Sequence, residues 1–194
     1  YMGGNMQSVG SQMRNSIAAF DTTKNAGGLL PWDPQANNNV NSLTLDGTIL
    51  YAVGYFTNIG GQARNRIAAL DTTINTNMAT AWNPNSNGSV MTMALDGTTL
   101  YVGGYFSTIG GQARNSIAAL DTTINANMAT NWNPGANESV WSMLLDGTTL
   151  YVGGTFSSIG GASRAGAAAL DTGIDTNNAG PWNPNALTTM TISK

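Results

Sequence analysis

The chain repeats itself with a period of 50 residues, and this period constrains the fold more than any other feature of the sequence. The segment at 105–134 nearly copies the segment at 55–84, and two more diverged copies flank them. A period of 20–50 residues is typical of solenoids, propellers and other repeat arrays. A residue that recurs in every repeat is therefore expected to be structural. A residue that breaks the period is a better candidate for a unique site.

The pattern of one repeat predicts four short strands that are separated by residues typical of turns. In the copy that begins at residue 139, the four runs are 139–145, 148–156, 165–171 and 179–184. The dipeptide Asp146-Gly147 between the first two runs predicts a two-residue hairpin of type I′, in which both central residues have positive φ. The last run ends at Pro184, because proline cannot donate a hydrogen bond to a ladder.

Four antiparallel strands in about 50 residues are typical of a propeller blade. No stretch reads as an amphipathic helix of useful length. We therefore predict an all-β fold, a β-propeller of four 50-residue, four-stranded blades that forms a single domain over residues 1–194. The repeats are expected at 37–86, 87–136, 137–186, and 187–194 together with 1–36.

The two ends of the chain are predicted to share one blade. The sequence is six residues short of four 50-residue periods, and the shortfall matches a hairpin next to the first strand. Residues 187–194 are expected to supply the first strand of the blade that residues 1–36 continue. Pairing within one chain closes a ring, and we favour it because an intramolecular partner has a high effective concentration. Pairing with the next molecule would instead build a filament by strand addition.

Several residue types recur at fixed positions of the repeat. The recurring tryptophans, which are expected to fill the space between adjacent blades, are Trp32, Trp82, Trp132 and Trp182. The recurring arginines are Arg14, Arg64, Arg114 and Arg164. Four arginines around an axis would suit an anion, but we favour a brace within each blade, bonded to Asp or to loop carbonyls. A mid-strand glycine pair predicts a bulge or a close backbone approach. The second repeat has Val53-Gly54 instead, so the first glycine of the pair is expected to be dispensable.

The runs LYVGGTFSSIGG, IAALDT and WNPN resemble the delta-60 repeat family of bacterial β-propellers and, more distantly, kelch blades. The matching positions in the third repeat are Tyr101, Gly103, Gly104, Phe106, Ile109, Gly110, Gly111, Arg114, Asn115, Leu120, Asp121, Trp132, Asn133 and Pro134. The resemblance covers essentially all four repeats. It departs from the pattern at Ala165 and Asp33, where asparagine is expected. It implies secreted or surface-anchored propellers, often inside larger proteins, with no agreed biochemical activity.

The amino-acid composition of the chain indicates which kinds of binding partner are to be expected. Charged residues make up only 9% of the chain, and a net charge of −3 provides no basic surface, so we expect no nucleic-acid partner. No apolar run approaches the roughly 20 residues of a transmembrane helix, so we expect no membrane span. Polarity comes from Asn, Thr, Ser, Gln and Gly, which suits an extracellular or cell-surface location. The expected partners are other copies of the chain, surface components or glycans.

The sequence offers little for catalysis. With no histidine and no cysteine, a Ser-His-Asp triad, a cysteine nucleophile and a histidine metal site are excluded. Only three acids break the period, namely Asp33, Glu138 and Asp175. Glycoside hydrolysis needs two carboxylates in one cleft, whereas Asp33 and Glu138 fall in different repeats. We therefore predict that the protein is not an enzyme and carries no cofactor.

Calcium is an alternative for the acids of the polar turns. Asp71, Asp171 and Asp175 lie in the stretches 71–77 and 171–177, which offer oxygen ligands at alternating spacing. These stretches lack the defined loop of an EF-hand. Aspartate followed by Thr and Gly or Asn is also ordinary turn chemistry, with the carboxylate accepting from nearby backbone N–H groups. We favour the turn.

The leading interpretation of function is a non-enzymatic structural or interaction module at the cell surface. The alternative is a carbohydrate-binding propeller, because the WNPN loops repeat Trp and Asn, which sugar sites use. The candidate binding residues are Trp32, Trp82, Trp132, Trp182, Asn83, Asn133 and Asn183. A third reading is a filament subunit joined by strand exchange.

Overall fold

The structure is a computed structural model that describes residues 1–24 and 28–185. This part of the chain is all-β, with antiparallel pairing throughout and no helix. Accordingly, none of the described segments is a helix able to cross a membrane. The prediction of an all-β repeat protein is confirmed. The strand predicted at 187–194 lies outside the described residues, so ring closure and the count of four blades stay predictions.

The strands follow the sequence period. Repeat 1 contains β1 (Met2–Gly3), β2 (Ser8–Val9), β3 (Gln12–Met13) and β4 (Ile17–Ala18). Repeat 2 contains β5 (Val40–Asp46), β6 (Ile49–Gly54), β7 (Asn58–Ile59), β8 (Gln62–Ala63) and β9 (Ile67–Asp71). Repeat 3 contains β10 (Ser89–Asp96), β11 (Thr99–Tyr105), β12 (Thr108–Ile109), β13 (Gln112–Ala113) and β14 (Ile117–Asp121). Repeat 4 contains β15 (Val140–Asp146), β16 (Thr149–Gly154), β17 (Ser158–Ile159), β18 (Ala162–Ser163) and β19 (Ala167–Asp171).

Each of repeats 2 to 4 forms a three-stranded antiparallel sheet with its second strand in the middle. The strand orders are β5-β6-β9, β10-β11-β14 and β15-β16-β19. The described part of repeat 1 contributes the shorter pair β1-β4. In every repeat, the Gly-rich stretch that the sequence suggests as a loop is a separate two-stranded hairpin, such as β12-β13. The strands of this hairpin do not pair with the three-stranded sheet of the same repeat.

The fourth strand of each predicted blade is reduced to a single bridge, which corrects the four-stranded expectation. Ala179 pairs with Leu170 as an isolated bridge, and Ala79 and Ala129 do the same with Leu70 and Leu120. Each of these runs ends at a proline that removes a backbone donor, namely Pro84, Pro134 or Pro184, and the run of repeat 4 also contains Pro181. In each repeat the chain then leaves the sheet to place its tryptophan.

The hairpin between the first two strands is present, but its turn differs from the predicted one. Asp46 pairs with Ile49, so the turn residues are Gly47 and Thr48 rather than Asp-Gly. Gly47 has a φ of 55°, whereas Thr48 is not among the residues with positive φ. Positive φ confined to a glycine at the first central position is the pattern of a type II′ turn. The aspartate instead ends the first strand.

The core lies between successive sheets. Alternate residues of the middle strand point to opposite faces, so Tyr51 and Val53 join an apolar cluster with repeat 3. Leu50 and Ala52 join another cluster with repeat 1. A third cluster fills the space between repeats 3 and 4. The sheets therefore pack face to face in sequence order, as propeller blades do.

The second glycine of the mid-strand pair is required by a close backbone approach, as the sequence predicts. A Cβ built on Gly104 would lie 2.1 Å from the carbonyl oxygen of Ser89. The same clash would occur at Gly54 and Gly154, at 2.0 and 2.1 Å. The pairing of β10 with β11 shifts register between Val90 and Thr92, which marks a bulge at this point.

Candidate functional site

The recurring tryptophans join each repeat to the next one. The indole Nε1 of Trp82 donates a 3.0 Å hydrogen bond to the carbonyl oxygen of Asp121. Trp32 makes the same bond to Asp71 at 3.1 Å, and Trp132 makes it to Asp171 at 3.0 Å. All three side chains are only 3% exposed. They are therefore part of the packing between blades and are not accessible to a ligand.

The proline after each of these tryptophans adds a second link. The backbone N–H of Gly110 donates to the carbonyl oxygen of Pro84 at 2.7 Å. Equivalent bonds join Gly60 to Pro34 at 2.6 Å and Gly160 to Pro134 at 2.9 Å. The indole bond and the proline bond together form what we call the tryptophan seam. Each seam connects the Trp-x-Pro segment of one repeat to the hairpin and third strand of the next.

A tyrosine of the middle strand stacks edge-to-face on each seam tryptophan. Tyr101 and Trp132 have ring centroids 5.1 Å apart with an interplanar angle of 78°. Burial raises the pKa of Tyr101, although a hydrogen bond with the Thr172 side chain of the next repeat partly opposes this shift. Burial likewise raises the pKa of Tyr51, with Thr122 in the opposing role. These tyrosines are structural members of the seam.

The last tryptophan differs from the other three. Trp182 makes the same edge-to-face pair with Tyr151, at 5.6 Å and 89°, yet its side chain is 41% exposed. Pro184 is exposed, whereas Pro34, Pro84 and Pro134 are buried. Within the described part of the chain, neither the Trp182 indole nor the Pro184 carbonyl has a hydrogen-bond partner in another repeat. We call Tyr151, Trp182 and Pro184 the terminal face.

The asparagines of the WNPN loops do not converge on one site. Asn83 and Asn183 are exposed, and Asn133 is half-buried. The backbone N–H of Asn133 donates to the carbonyl oxygen of Asp175 at 2.6 Å. The side chain of Asn183 accepts from the backbone N–H of Asn185 at 3.2 Å. Each asparagine therefore lies at its own seam, one repeat apart from the next.

The recurring arginines brace loops, as the sequence interpretation predicts. The guanidinium of Arg114 donates to the carbonyl oxygens of Ala113 and Thr130. Arg14, Arg64 and Arg164 make the equivalent pair of bonds in their own repeats. Burial lowers the pKa of Arg64 and Arg114. The partners shared by all four arginines are backbone carbonyls, and Arg14 has an additional partner in Asp33.

The aspartates after the third strand serve turns. The Oδ1 atom of Asp71 accepts from the backbone N–H and the hydroxyl of Thr73, at 2.8 and 2.6 Å. These two bonds lower the pKa of Asp71. Asp171 accepts from the backbone N–H of Gly173 at 2.8 Å. Asp175 contributes its carbonyl to Asn133, as described above. In the described ranges, no three side chains of the His, Cys, Asp and Glu types cluster as metal ligands would.

The acids that break the period are not brought together in a cleft. Asp33 forms a 3.6 Å ion pair with Arg14 and accepts a 2.6 Å hydrogen bond from Gln35. Glu138 is exposed at the start of repeat 4. No hydrogen bond or ion pair in the described residues connects it to Asp33. The substitution of Asn by Asp at position 33 thus gives Arg14 a carboxylate partner.

A polar groove in repeat 3 was not anticipated from the sequence. Its volume is about 390 Å³, and its lining includes Asn87, Tyr105, Asn115, Ser116 and Asn137. The sequence does carry a signal for it, because Gly135 breaks the period: the equivalent residues are Gln35, Asn85 and Asn185. Only the fold brings these positions together, since they lie on four separate segments of the chain.

Comparison with known proteins gives a match to one family model. Residues 44–72 match the family described as "Domain of unknown function (DUF5122) beta-propeller". The matched segment runs from the end of β5 to just beyond β9, which is most of the sheet of repeat 2. The match and the stacked antiparallel sheets support a β-propeller family. A search of curated proteins found no match.

Proposed function

We propose that the protein is a non-enzymatic structural and interaction propeller of the extracellular or cell-surface kind. The observation that carries the proposal is the terminal face. The terminal face has the same residue types as the seams, where the equivalent Tyr101, Trp132 and Pro134 are buried against the following repeat. In the described structure, however, Trp182 and Pro184 are exposed and Tyr151 is half-buried. No repeat in the described residues covers this surface, and we infer that it serves association.

The occupant that fits the terminal face is the first repeat of a second copy. A seam needs a glycine N–H for the proline carbonyl and an aspartate carbonyl for the indole. Repeat 1 carries both at the matching positions, in Gly10 and Asp21. Trp141 is 46% exposed, and the equivalent Asn41 contacts Met91 of the following repeat. We infer that Trp141 adds to the surface that would contact a second copy. Copies joined in this way assemble head to tail.

The recurring chemical groups support a structural rather than an enzymatic role. The indole donors bond to carbonyls, the guanidinium groups bond to carbonyls, and the carboxylates of Asp71 and Asp121 bond to turn threonines. Groups that form such internal hydrogen bonds stabilise the fold. The neutral polar surface that the composition provides suits a secreted or surface-anchored protein.

The finer architectural assignments belong to the same proposal. They are four blades per chain and membership of the delta-60 repeats, with kelch blades as more distant relatives. Ring closure within one chain, with residues 187–194 beside β1, is the competing arrangement. It would cover the terminal face with repeat 1 of the same molecule.

Light scattering coupled to size-exclusion chromatography tests the association. We expect the mass of the wild-type particle to rise with concentration, and Trp182→Ala to abolish the rise. Tyr105→Ala removes an exposed aromatic residue away from the terminal face and is the matched control, so it should associate like the wild type. A particle that stays monomeric at all concentrations, with Trp182 protected from a fluorescence quencher, would support ring closure instead.

A further inference from the structure

We propose that the groove of repeat 3 binds a neutral saccharide. We call it the repeat-3 groove, and its functional members are Asn87, Tyr105, Asn115, Ser116 and Asn137. This site is independent of the terminal face and does not use the WNPN loops. It combines a rigid polar rim, the exposed ring of Tyr105 and three polar groups without a protein partner in the described residues. These groups are the side-chain N–H and carbonyl of Asn115 and the hydroxyl of Ser116.

The rim of the repeat-3 groove is held rigidly. Asn87 accepts 3.0 Å hydrogen bonds from the backbone N–H groups of Ser107 and Thr108, and its amide donates to the Ser107 hydroxyl at 2.9 Å. Asn137 makes the same three bonds to Ser157 and Ser158. Groups fixed in this way lose little conformational entropy when a ligand binds.

The side-chain amide of Asn115 has been released from an internal bond. In the two preceding repeats, the equivalent Asn15 and Asn65 donate to the amide oxygens of Gln35 and Asn85, at 3.1 and 2.6 Å. In repeat 3 the partner position is Gly135, which has no side chain. Asn115 is exposed and its amide makes no hydrogen bond in the described residues. Both its donor and its acceptor are therefore available to a ligand.

Ser116 and Tyr105 complete the site. Ser116 is 6% exposed, and its hydroxyl has no hydrogen-bond partner among the described residues although it lines the groove. Because it lines the groove, this hydroxyl is available to bond a hydroxyl group of a ligand. Tyr105 is 67% exposed, and its ring offers an apolar surface with a polar tip.

No other repeat combines these features. In repeat 2, Arg66 replaces Ser116 and extends its guanidinium to the carbonyl of Ser86, at 3.5 Å. In repeat 1, Asn5 replaces Tyr105, and the corresponding groove is smaller, at about 260 Å³. In repeat 4, the positions of Asn115 and Ser116 are occupied by Ala165 and Gly166. The repeat-3 groove is thus a departure from the period, as expected of a unique site.

The chemistry of the repeat-3 groove selects a saccharide. Its lining contains no charged side chain, and the nearby Arg114 guanidinium is committed to backbone carbonyls. Amides and hydroxyls both donate and accept, and so do the hydroxyl groups of a sugar. The C–H face of a pyranose ring packs on an aromatic ring such as that of Tyr105. The groove volume of about 390 Å³ is in the usual range of small-ligand sites.

An array of neutral and acidic oligosaccharides, probed with the purified chain, tests the proposal, with titration calorimetry on each neutral sugar that binds. Three variants remove the site by different means. Tyr105→Ala removes the ring. Ser116→Arg introduces the residue that repeat 2 already holds at a φ of 64°. Gly135→Asn restores the amide partner that captures Asn65 in repeat 2, and the position has a φ of 54°, as Asn85 has 53°.

We expect wild-type protein to bind at least one neutral oligosaccharide and each variant to bind it about tenfold or more weakly, which corresponds to roughly 1.4 kcal/mol. Tyr55→Ala, at the matching position of repeat 2, and Trp182→Ala, on the terminal face, should bind like the wild type. Binding that all three groove variants retain would overturn the proposal. So would a wild-type protein that binds no neutral sugar on the array, or only acidic ones. Thermal melts of the variants confirm that they are folded.

Discussion

The indole of Trp132 donates a 3.0 Å hydrogen bond to the carbonyl oxygen of Asp171, which lies 39 residues further along the chain. This bond crosses from repeat 3 to repeat 4, and the buried ring packs in the apolar cluster between them. The same relationship holds for Trp32 with Asp71 and for Trp82 with Asp121. The period of the sequence is thus expressed as a repeated contact between blades, in addition to the repeated bonds within each of them.

Removal of a seam tryptophan should be costly. We expect Trp132→Ala to lower the free energy of unfolding by about 3–5 kcal/mol, the usual cost of deleting a large buried aromatic side chain. Trp132→Phe keeps most of the ring and should lose a smaller amount, with roughly 1 kcal/mol assigned to the indole hydrogen bond. Urea denaturation followed by circular dichroism measures both.

Trp182→Ala is the matched control, because this tryptophan occupies the same repeat position but is 41% exposed. In dilute solution it should cost less than about 1 kcal/mol, as surface substitutions usually do. Equal losses for Trp132→Ala and Trp182→Ala would contradict the assignment of the terminal face as uncovered.

The mid-strand glycine provides a test of backbone contact. Gly104→Ala would place a Cβ 2.1 Å from the Ser89 carbonyl oxygen, so strands β10 and β11 would have to separate. We expect a loss of about 1–3 kcal/mol or more, measured by thermal or chemical denaturation.

Gly4 is the equivalent glycine of repeat 1, and none of the described atoms lies within 4 Å of a Cβ built there. Gly4→Ala should therefore leave the stability of dilute protein unchanged, or raise it by about 0.4–1 kcal/mol through the unfolded state. A loss as large as that of Gly104→Ala would mean that a strand is paired beside β1, as ring closure through residues 187–194 requires.

Arg66 shares with Ser16 and Ser116 a left-handed backbone conformation that is strained for any residue with a Cβ, and only Gly166 of the four equivalent residues avoids this strain. Its φ is 64°, in the left-handed region, where Gly166 stands in repeat 4 with a φ of 73°. Relief of roughly 1–2 kcal/mol of strain outweighs the roughly 0.4–1 kcal/mol that glycine costs through the unfolded state. We expect Arg66→Gly to stabilise the fold by a few tenths to about 1 kcal/mol.

Arg66→Ala separates the backbone effect from the side-chain effect. It keeps a Cβ in the left-handed region and removes the guanidinium, whose only described bond is the 3.5 Å contact to Ser86. Arg66→Ala should therefore give no gain in stability. An equal gain from both variants would show that the side chain rather than the backbone is the source of strain.

The turn aspartates predict a specific acid dependence. Hydrogen bonds from the Thr123 hydroxyl and backbone N–H lower the pKa of Asp121 below its reference value of 3.8. A carboxyl whose folded pKa is lowered contributes stability above its unfolded pKa, and this contribution is lost as the pH falls through the folded pKa. Stability should thus decline below about pH 4, since Asp21 and Asp71 are shifted in the same direction.

Thr123→Ala removes one of the two bonds to Asp121. The pKa of Asp121, followed by NMR titration of its carboxyl carbon, should rise toward the reference value, and the stability difference between pH 7 and pH 3 should shrink. Thr123→Ser retains a hydroxyl and should keep the pKa low. An unchanged Asp121 titration in Thr123→Ala would rule out the hydroxyl as the cause of the shift.

Much of the local structure could be read from the sequence, because it depends on short-range signals. The apolar runs and turn glycines predict the three main strands of each repeat, and Gly54, Gly104 and Gly154 stand where a side chain would clash. The errors were also local. Asp46 could not be separated from the turn it precedes, and the prolines of the run 179–184 did not by themselves show that the fourth strand is a single bridge.

The repeat period, the strand pattern and the neutral polar composition are determined by the sequence alone, since each depends on residues near one another in the chain. The tertiary structure decided what those residues touch. The Trp132 indole meets a carbonyl 39 residues away, and Asn115 is free because its partner position, 20 residues on, is a glycine. The first contact depends on how successive sheets stack and the second on how two segments of one repeat pack, and a period specifies which residues recur without specifying the distances between them.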